Sequence, residues 1–140
     1  MTLLNRERLL QKEDLEIRKV DLGNGEYVFV RQMTGKERDN FEQSLIHKFT
    51  NKKGKPDYET KLDNFRSKLA VNVICDEKGD SLLKPGDFEK LSTSMSAYRL
   101  EKIVNTAQKI NNISEEDKEE LVKNSGGVQG ADSSSASAEN

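Results

Sequence analysis

Few side chains in this sequence could hold a metal, activate a nucleophile or cradle a phosphate, and their spacing is poor for each task. Asp76-Glu77-Lys78-Gly79-Asp80 surrounds a glycine with carboxylates, the outline of a metal loop. A calcium hand needs oxygen ligands at alternating positions and a distal glutamate in a longer loop, so a simple turn is predicted instead. His47, the one histidine, falls between Ile46 and Lys48 on a predicted helix, with nothing to pair it with a nucleophile. It reads as a surface or boundary residue. Cys75 closes a helix that reads as buried, which suits a small core residue better than a reactive thiol. A single cysteine excludes an internal disulfide, and with one histidine it leaves too few soft ligands for a structural zinc site. Lys52, Lys53 and Lys55 gather around Gly54 in TNKKGKPD, but no helix start or glycine cradle accompanies them, and a solvated connection is expected. Gly23, Gly25, Gly79 and Gly86 read as turn residues and Gly126-Gly127 as linker; none forms a phosphate loop. These readings predict no catalytic residue, no metal and no cofactor, and the chain is not expected to be an enzyme.

Composition narrows the class of partner. The chain has 140 residues, 33% hydrophobic and 34% charged, and suits one small soluble domain. Its 23 basic and 25 acidic residues are interspersed, so no excess of positive charge awaits a phosphate backbone and nucleic acid is not an expected partner. No run of about 20 apolar residues spans a bilayer and no apolar signal core follows Met1, so no membrane contact is expected and the cytosol is the predicted compartment.

The elements that would position a working surface form an α+β arrangement, mostly helical, with an N-terminal β-hairpin and a disordered C-terminal tail. In residues 1–12, MTLLNRERLLQK, the leucines Leu3, Leu4, Leu9 and Leu10 lie near one helical face with Arg6, Glu7 and Arg8 opposite. This amphipathic arm is too short to hold its own helix and should order only where its leucines find a surface, on its own domain or a neighbour's. Residues 13–124 carry the hairpin and helices. Leu15 to Val20 and Glu26 to Gln32 read as strands joined at Asn24-Gly25, a pair that tolerates positive φ. Thr34 then starts a helix: its hydroxyl can accept from the N–H of Glu37, whose carboxylate reaches back to the N–H of Thr34. Phe41, Leu45, Ile46 and Phe49 recur at helical spacing behind it. Tyr58, Leu62, Phe65, Leu69 and Val73 mark a second helix that ends near Cys75 and, with Ala70 and Ile74, reads as buried on two sides. Asp87 is placed to cap a brief helix with Phe88 and Leu91. After the serine-rich stretch Ser92 to Ser96, a third long helix carries Leu100, Ile103, Val104, Ala107 and Ile110. Ser114 and Asp117 form a further capping-box start for a closing helix with Leu121 and Val122. Residues 125–140 read as a flexible tail with too little apolar surface to offset the entropy of ordering it.

The order of these pieces carries a family resemblance. A leucine-rich start (LLNRERLL), the segment YVFVRQMTGKER, a helix-rich middle with LAVNVICDEKGDSLL, and the run GDFEKLSTSMSAYRLEKIVNTAQKINNISEEDKEELVKN together resemble the tail assembly chaperones of long-tailed bacteriophages. The likeness spans about Leu3 to Asn124. It implies a protein of the host cytoplasm that coats the tape-measure protein, keeps it soluble, helps recruit tail-tube subunits and is absent from the mature virion. The other class considered is a structural head or tail-completion protein retained in the particle. Two surfaces are expected to work: Leu3, Leu4, Leu9 and Leu10 in self-association to a homo-oligomer, and Met95 with Tyr98, at a helix start, in partner binding. The resemblance also implies that some chains are extended by ribosomal frameshifting. Gly126-Gly127, between Lys123 and Val128, is the place where a guanine-rich codon run would allow it.

Overall fold

The computed structural model describes the backbone of residues 1–127 and the side chains of residues 1–123. Over these residues the chain is α+β, as expected. The hairpin pairs β1 (Ile17–Gly23) with β2 (Glu26–Arg31) in antiparallel register, Val20 opposite Val28. Asn24 (φ 57°) and Gly25 (φ 76°) form its two-residue turn, both left-handed, as a turn matching the twist of the strands requires. Beyond β2 lies β5 (Ile74–Cys75), so the sheet order is β1-β2-β5.

β2 turns a corner into α2 (Gly35–Ser44) through the predicted capping box, with Glu37 N–H to Thr34 Oγ1 at 3.2 Å and Thr34 N–H to Glu37 Oε1 at 2.9 Å. The helix α3 (Phe65–Val73) is the buried centre, with Leu69, Ala70 and Val73 sealed from solvent. Packed on it is α5 (Ala97–Ile110), whose predicted stripe of Leu100, Ile103, Val104, Ala107 and Ile110 is buried throughout. The end of α5 is fixed by its own backbone. Asn112 is left-handed (φ 54°), the N–H of Ile113 reaches the carbonyl of Gln108 at 2.8 Å, and that of Asn112 reaches Lys109 at 3.4 Å, so two orphan carbonyls are satisfied as the chain reverses. The closing helix α6 (Glu115–Gly127) starts at the Ser114/Asp117 box, which is formed as read.

The largest departure lies between residues 45 and 64. The apolar spacing through Phe49 predicted one continuous helix, but α2 stops at Ser44. Ile46–Thr50 is a strand (β3), paired with Pro56–Thr60 (β4) in a separate two-stranded sheet. Tyr58 therefore lies on a strand, Leu62 in a link, and the second helix begins only at Phe65. Two interactions explain the break. Lys68, itself buried, donates from Nζ to the carbonyl of Ser44 at 2.8 Å, placing a cation on the open C-terminal end of α2. In addition, Asn51 Oδ1 accepts from the N–H groups of Lys53 and Lys55, closing a five-residue loop with Gly54 at φ 76°. IHKFT and PDYET then alternate across a hairpin rather than wind into a helix.

Three further expectations change. The arm is helical only over Arg6–Leu9 (α1), capped by Asn5, so Leu9 ends a single turn with Leu10 just after it and Leu3 and Leu4 before it, outside the helix. Asp87 does not cap α4 (Phe88–Ser94), because its carboxylate accepts from the N–H of Lys84 at 2.8 Å and closes the 3-10 turn Pro85–Asp87. Gly126-Gly127, read as tail, falls within the bounds of α6. The rest of the expected tail, 128–140, lies outside the described residues.

The turn after β5 is formed as read. The Asp76 carboxylate accepts from the N–H groups of Lys78 at 2.8 Å and Asp80 at 3.0 Å, and the Asp80 bond leads in holding its pKa below the ordinary aspartate value. Gly79 sits at φ 90°, where an added Cβ would also meet Ile17 Cδ1 at 3.2 Å. Gly79→Ala should therefore lower stability by about 1–2 kcal/mol from the left-handed backbone alone. Urea titration checks this; an unchanged midpoint would show that the turn relaxes at no cost.

Candidate functional site

The corner between β2, α2 and the end of α5 is the most connected polar region. Arg31 is buried and meets Glu37 in a forked pair, Nη1 to Oε1 and Nη2 to Oε2, both at 2.7 Å. That pair holds the Glu37 carboxyl at about 2, well below its ordinary 4.5, with burial opposing the shift and the Thr34 N–H assisting it. Asn111 binds the corner to α5. Its Oδ1 accepts from Met33 N–H at 2.7 Å, and its Nδ2 donates to the carbonyls of Ala107 at 2.9 Å and Arg31 at 3.4 Å. Every carboxylate oxygen of Glu37 is thus committed to the fold. The residue serves as cap and counter-ion rather than as a free acid.

The residues with chemical potential are dispersed. His47 stands on β3 rather than on a helix, and its Nε2 is buried without a hydrogen-bond partner among the described residues. Cys75 is buried on β5, where desolvation raises its thiol pKa, consistent with the core role read for it. Lys52, Lys53 and Lys55 project from the β3–β4 turn. Among the described residues no group of three or more His, Cys, Asp or Glu side chains is placed to hold a metal ion.

What the surface does present is apolar. Leu3, Leu9 and Leu10 are 97%, 65% and 70% exposed, and Leu4 is also exposed, so the arm does not fold back on its own domain. Met95 and Tyr98 separate. Met95, the C-cap of α4, is partly buried against the core, whereas Tyr98 stands 68% exposed at the start of α5 with Lys102 Nζ 4.9 Å from its ring centre. Of the two, Tyr98 is therefore the one available to a partner.

A further apolar surface combines the closing helix, expected with the third long helix to contribute to a partner groove, with the β3–β4 hairpin, which was not expected. Ile46 and Tyr58 share one hairpin face and Phe49 lies on the other, all exposed. Beside the hairpin, Leu62 and Val122 form the apolar floor of a groove of about 350 Å³ rimmed by Glu115, Lys118, Glu119 and Lys123. The signal that would have found it was the Asn-Lys-Lys-Gly turn between two runs rich in aromatic and β-branched residues.

Comparisons with protein-family models, with curated proteins and with solved structures find no match to this chain.

Proposed function

We propose that this chain is a tail assembly chaperone of the long-tailed phage type, which covers apolar stripes of the tape-measure protein, helps recruit tail-tube subunits in the host cytoplasm and does not remain in the mature virion. The observation that carries the reading is surplus apolar surface on a domain whose own core is complete. The leucines of the arm and Tyr98 on α5 stand in water while the core residues of α3 and α5 are sealed. Apolar side chains presented from a folded scaffold can shield the stripe of a long helical client. Many copies along one filament gain by multivalency what each lacks in affinity.

Co-expression with the tape-measure protein tests this directly. The client should move from the insoluble to the soluble fraction, and Tyr98→Ala should reduce that yield several-fold while leaving the chaperone's own melting temperature in place. A client that stays insoluble with the wild-type chain overturns the proposal. Detection of the chain by mass spectrometry of purified virions at stoichiometric amounts would instead assign it to the structural head or tail-completion class. A ribosomally extended form belongs to the same proposal. It predicts a repetitive codon run spanning Lys123 to Val128 and a second, longer band on an immunoblot of infected cells.

A further inference from the structure

We infer that two copies of this chain join edge to edge through β1, antiparallel about Val20, so that their sheets become one. β1 is an edge strand in the order β1-β2-β5. The N–H of Gln32 donates to the carbonyl of Glu16 at 2.9 Å, which sets the alternation along the strand. The backbone groups of Glu16, Arg18 and Val20 turn toward β2, and those of Ile17, Lys19 and Asp21 turn outward. Lys102 Nζ, 3.3 Å from the carbonyl of Asp21, agrees with this direction. Among the described residues no other backbone group meets the outward ones of Ile17 and Lys19. Such an edge is a template for another strand.

Charge selects both the occupant and the register. Edges are commonly guarded by lysine, which repels a second copy of itself, but here Lys19 is followed two residues on by Asp21, both exposed and on one face. Neither forms an ion pair among the described residues. In an antiparallel pair of β1 strands, a twofold axis through Arg18, Lys19 or Asp21 sets that residue against its own like charge. An axis through Ile17 pairs most of the strand with residues 11–16, which precede it, and one through Leu22 overlaps only Asp21 to Gly23, at the bulge. The axis through Val20 uses the whole strand and sets Lys19 against Asp21 twice, with Val20 beside Val20 on the core face. Each Lys19–Asp21 pair exchanges two backbone hydrogen bonds, and the Asp21 carboxylate is engaged in the single chain only through Oδ1, which accepts from Gly23 N–H at 2.8 Å. The contact is isologous and closes at two copies. It uses neither the arm nor Tyr98 and is independent of the proposed chaperone role.

Light scattering and zero-length cross-linking of the full purified chain, without any client protein, test it. Wild-type mass should rise with concentration to at least twice the protomer's 15.8 kDa. Lys19→Asp sets acid against acid and Asp21→Lys sets base against base, and each alone should weaken the pairing about tenfold or more. Mixed in equal amounts, the two variants face each other with opposite charges throughout, and pairing should return toward wild-type strength. A wild-type chain at protomer mass at every concentration overturns the inference. So does a mixture no tighter than its parts, or association that neither variant weakens, which would assign it to the leucines of the arm. A carbodiimide joins lysine to aspartate in the wild-type chain, so it reads the register even where Asp21→Lys fails to fold. In a mixture of isotope-labelled and unlabelled wild type, linked Lys19–Asp21 peptides should include pairs of one labelled and one unlabelled half. Links of one label only would lie within a single chain and overturn the pairing.

Discussion

Replacing Glu37 with Ala should lower the stability of this domain by about 3 kcal/mol, the lower end for breaking a buried ion pair because the Glu37 side chain is 31% exposed. The loss has two parts. Arg31, with its side chain 6% exposed, keeps its charge but loses both forked hydrogen bonds, and the Thr34 N–H at the start of α2 loses its acceptor. Glu37→Gln keeps the shape and one acceptor for the cap but removes the charge, so it should cost less than Glu37→Ala. The same pair sets an acid dependence. Because folding lowers the Glu37 pKa from 4.5 to about 2, its contribution is complete above the unfolded value and disappears as pH falls through the folded one. The shift corresponds to at most about 3 kcal/mol, reduced by solvent screening of the partly exposed carboxylate. Urea unfolding at neutral pH and again near the folded pKa should show wild type and Glu37→Ala far apart in the first case and converging in the second. Parallel pH profiles would mean that Arg31 is held by something other than Glu37.

Phe41→Ala should cost about 3–5 kcal/mol, whereas Phe49→Ser should cost less than about 1 kcal/mol. Phe41 is 1% exposed and stacks edge-on against Phe65, ring centres 5.4 Å apart, at the contact between α2 and α3. Phe49 stands on β3 with its ring in part solvated. The two phenylalanines are indistinguishable by spacing, so the contrast tests the helix-to-strand switch at Ser44. Equal and large costs in denaturant titrations would return Phe49 to a continuous helix in the core.

That switch shows where local pattern fails. The Asn-Gly turn, both capping boxes and the stripe of α5 were legible because each is decided by residues within a few positions of one another, through a φ preference, a reciprocal hydrogen bond or a 3.6-residue period. The end of α2 was not. It depends on Lys68 arriving from 24 residues away to close the carbonyl of Ser44. Four apolar residues at helical spacing fit a helix and a helix-then-strand equally well until that long-range contact is known. Asp87 failed for a related reason, since two adjacent turns compete for one carboxylate and the N–H of Lys84 takes it. As for the surface, the leucines of the arm were visible as candidates, but the groove required Leu62 and Val122, 60 positions apart in sequence, to be brought together.

The small sheet of β3 and β4 stands outside the main sheet: the Lys61 N–H bond to the Leu45 carbonyl at 2.8 Å closes its own open end, and packing against α6 ties it to the domain. A lone two-stranded hairpin is barely stable in water, so its persistence is borrowed from that helix. It follows that amide protons of β3 and β4 exchange with solvent by local opening well before those of β2 and α3, and that whatever clamps α6 in place slows their exchange as well.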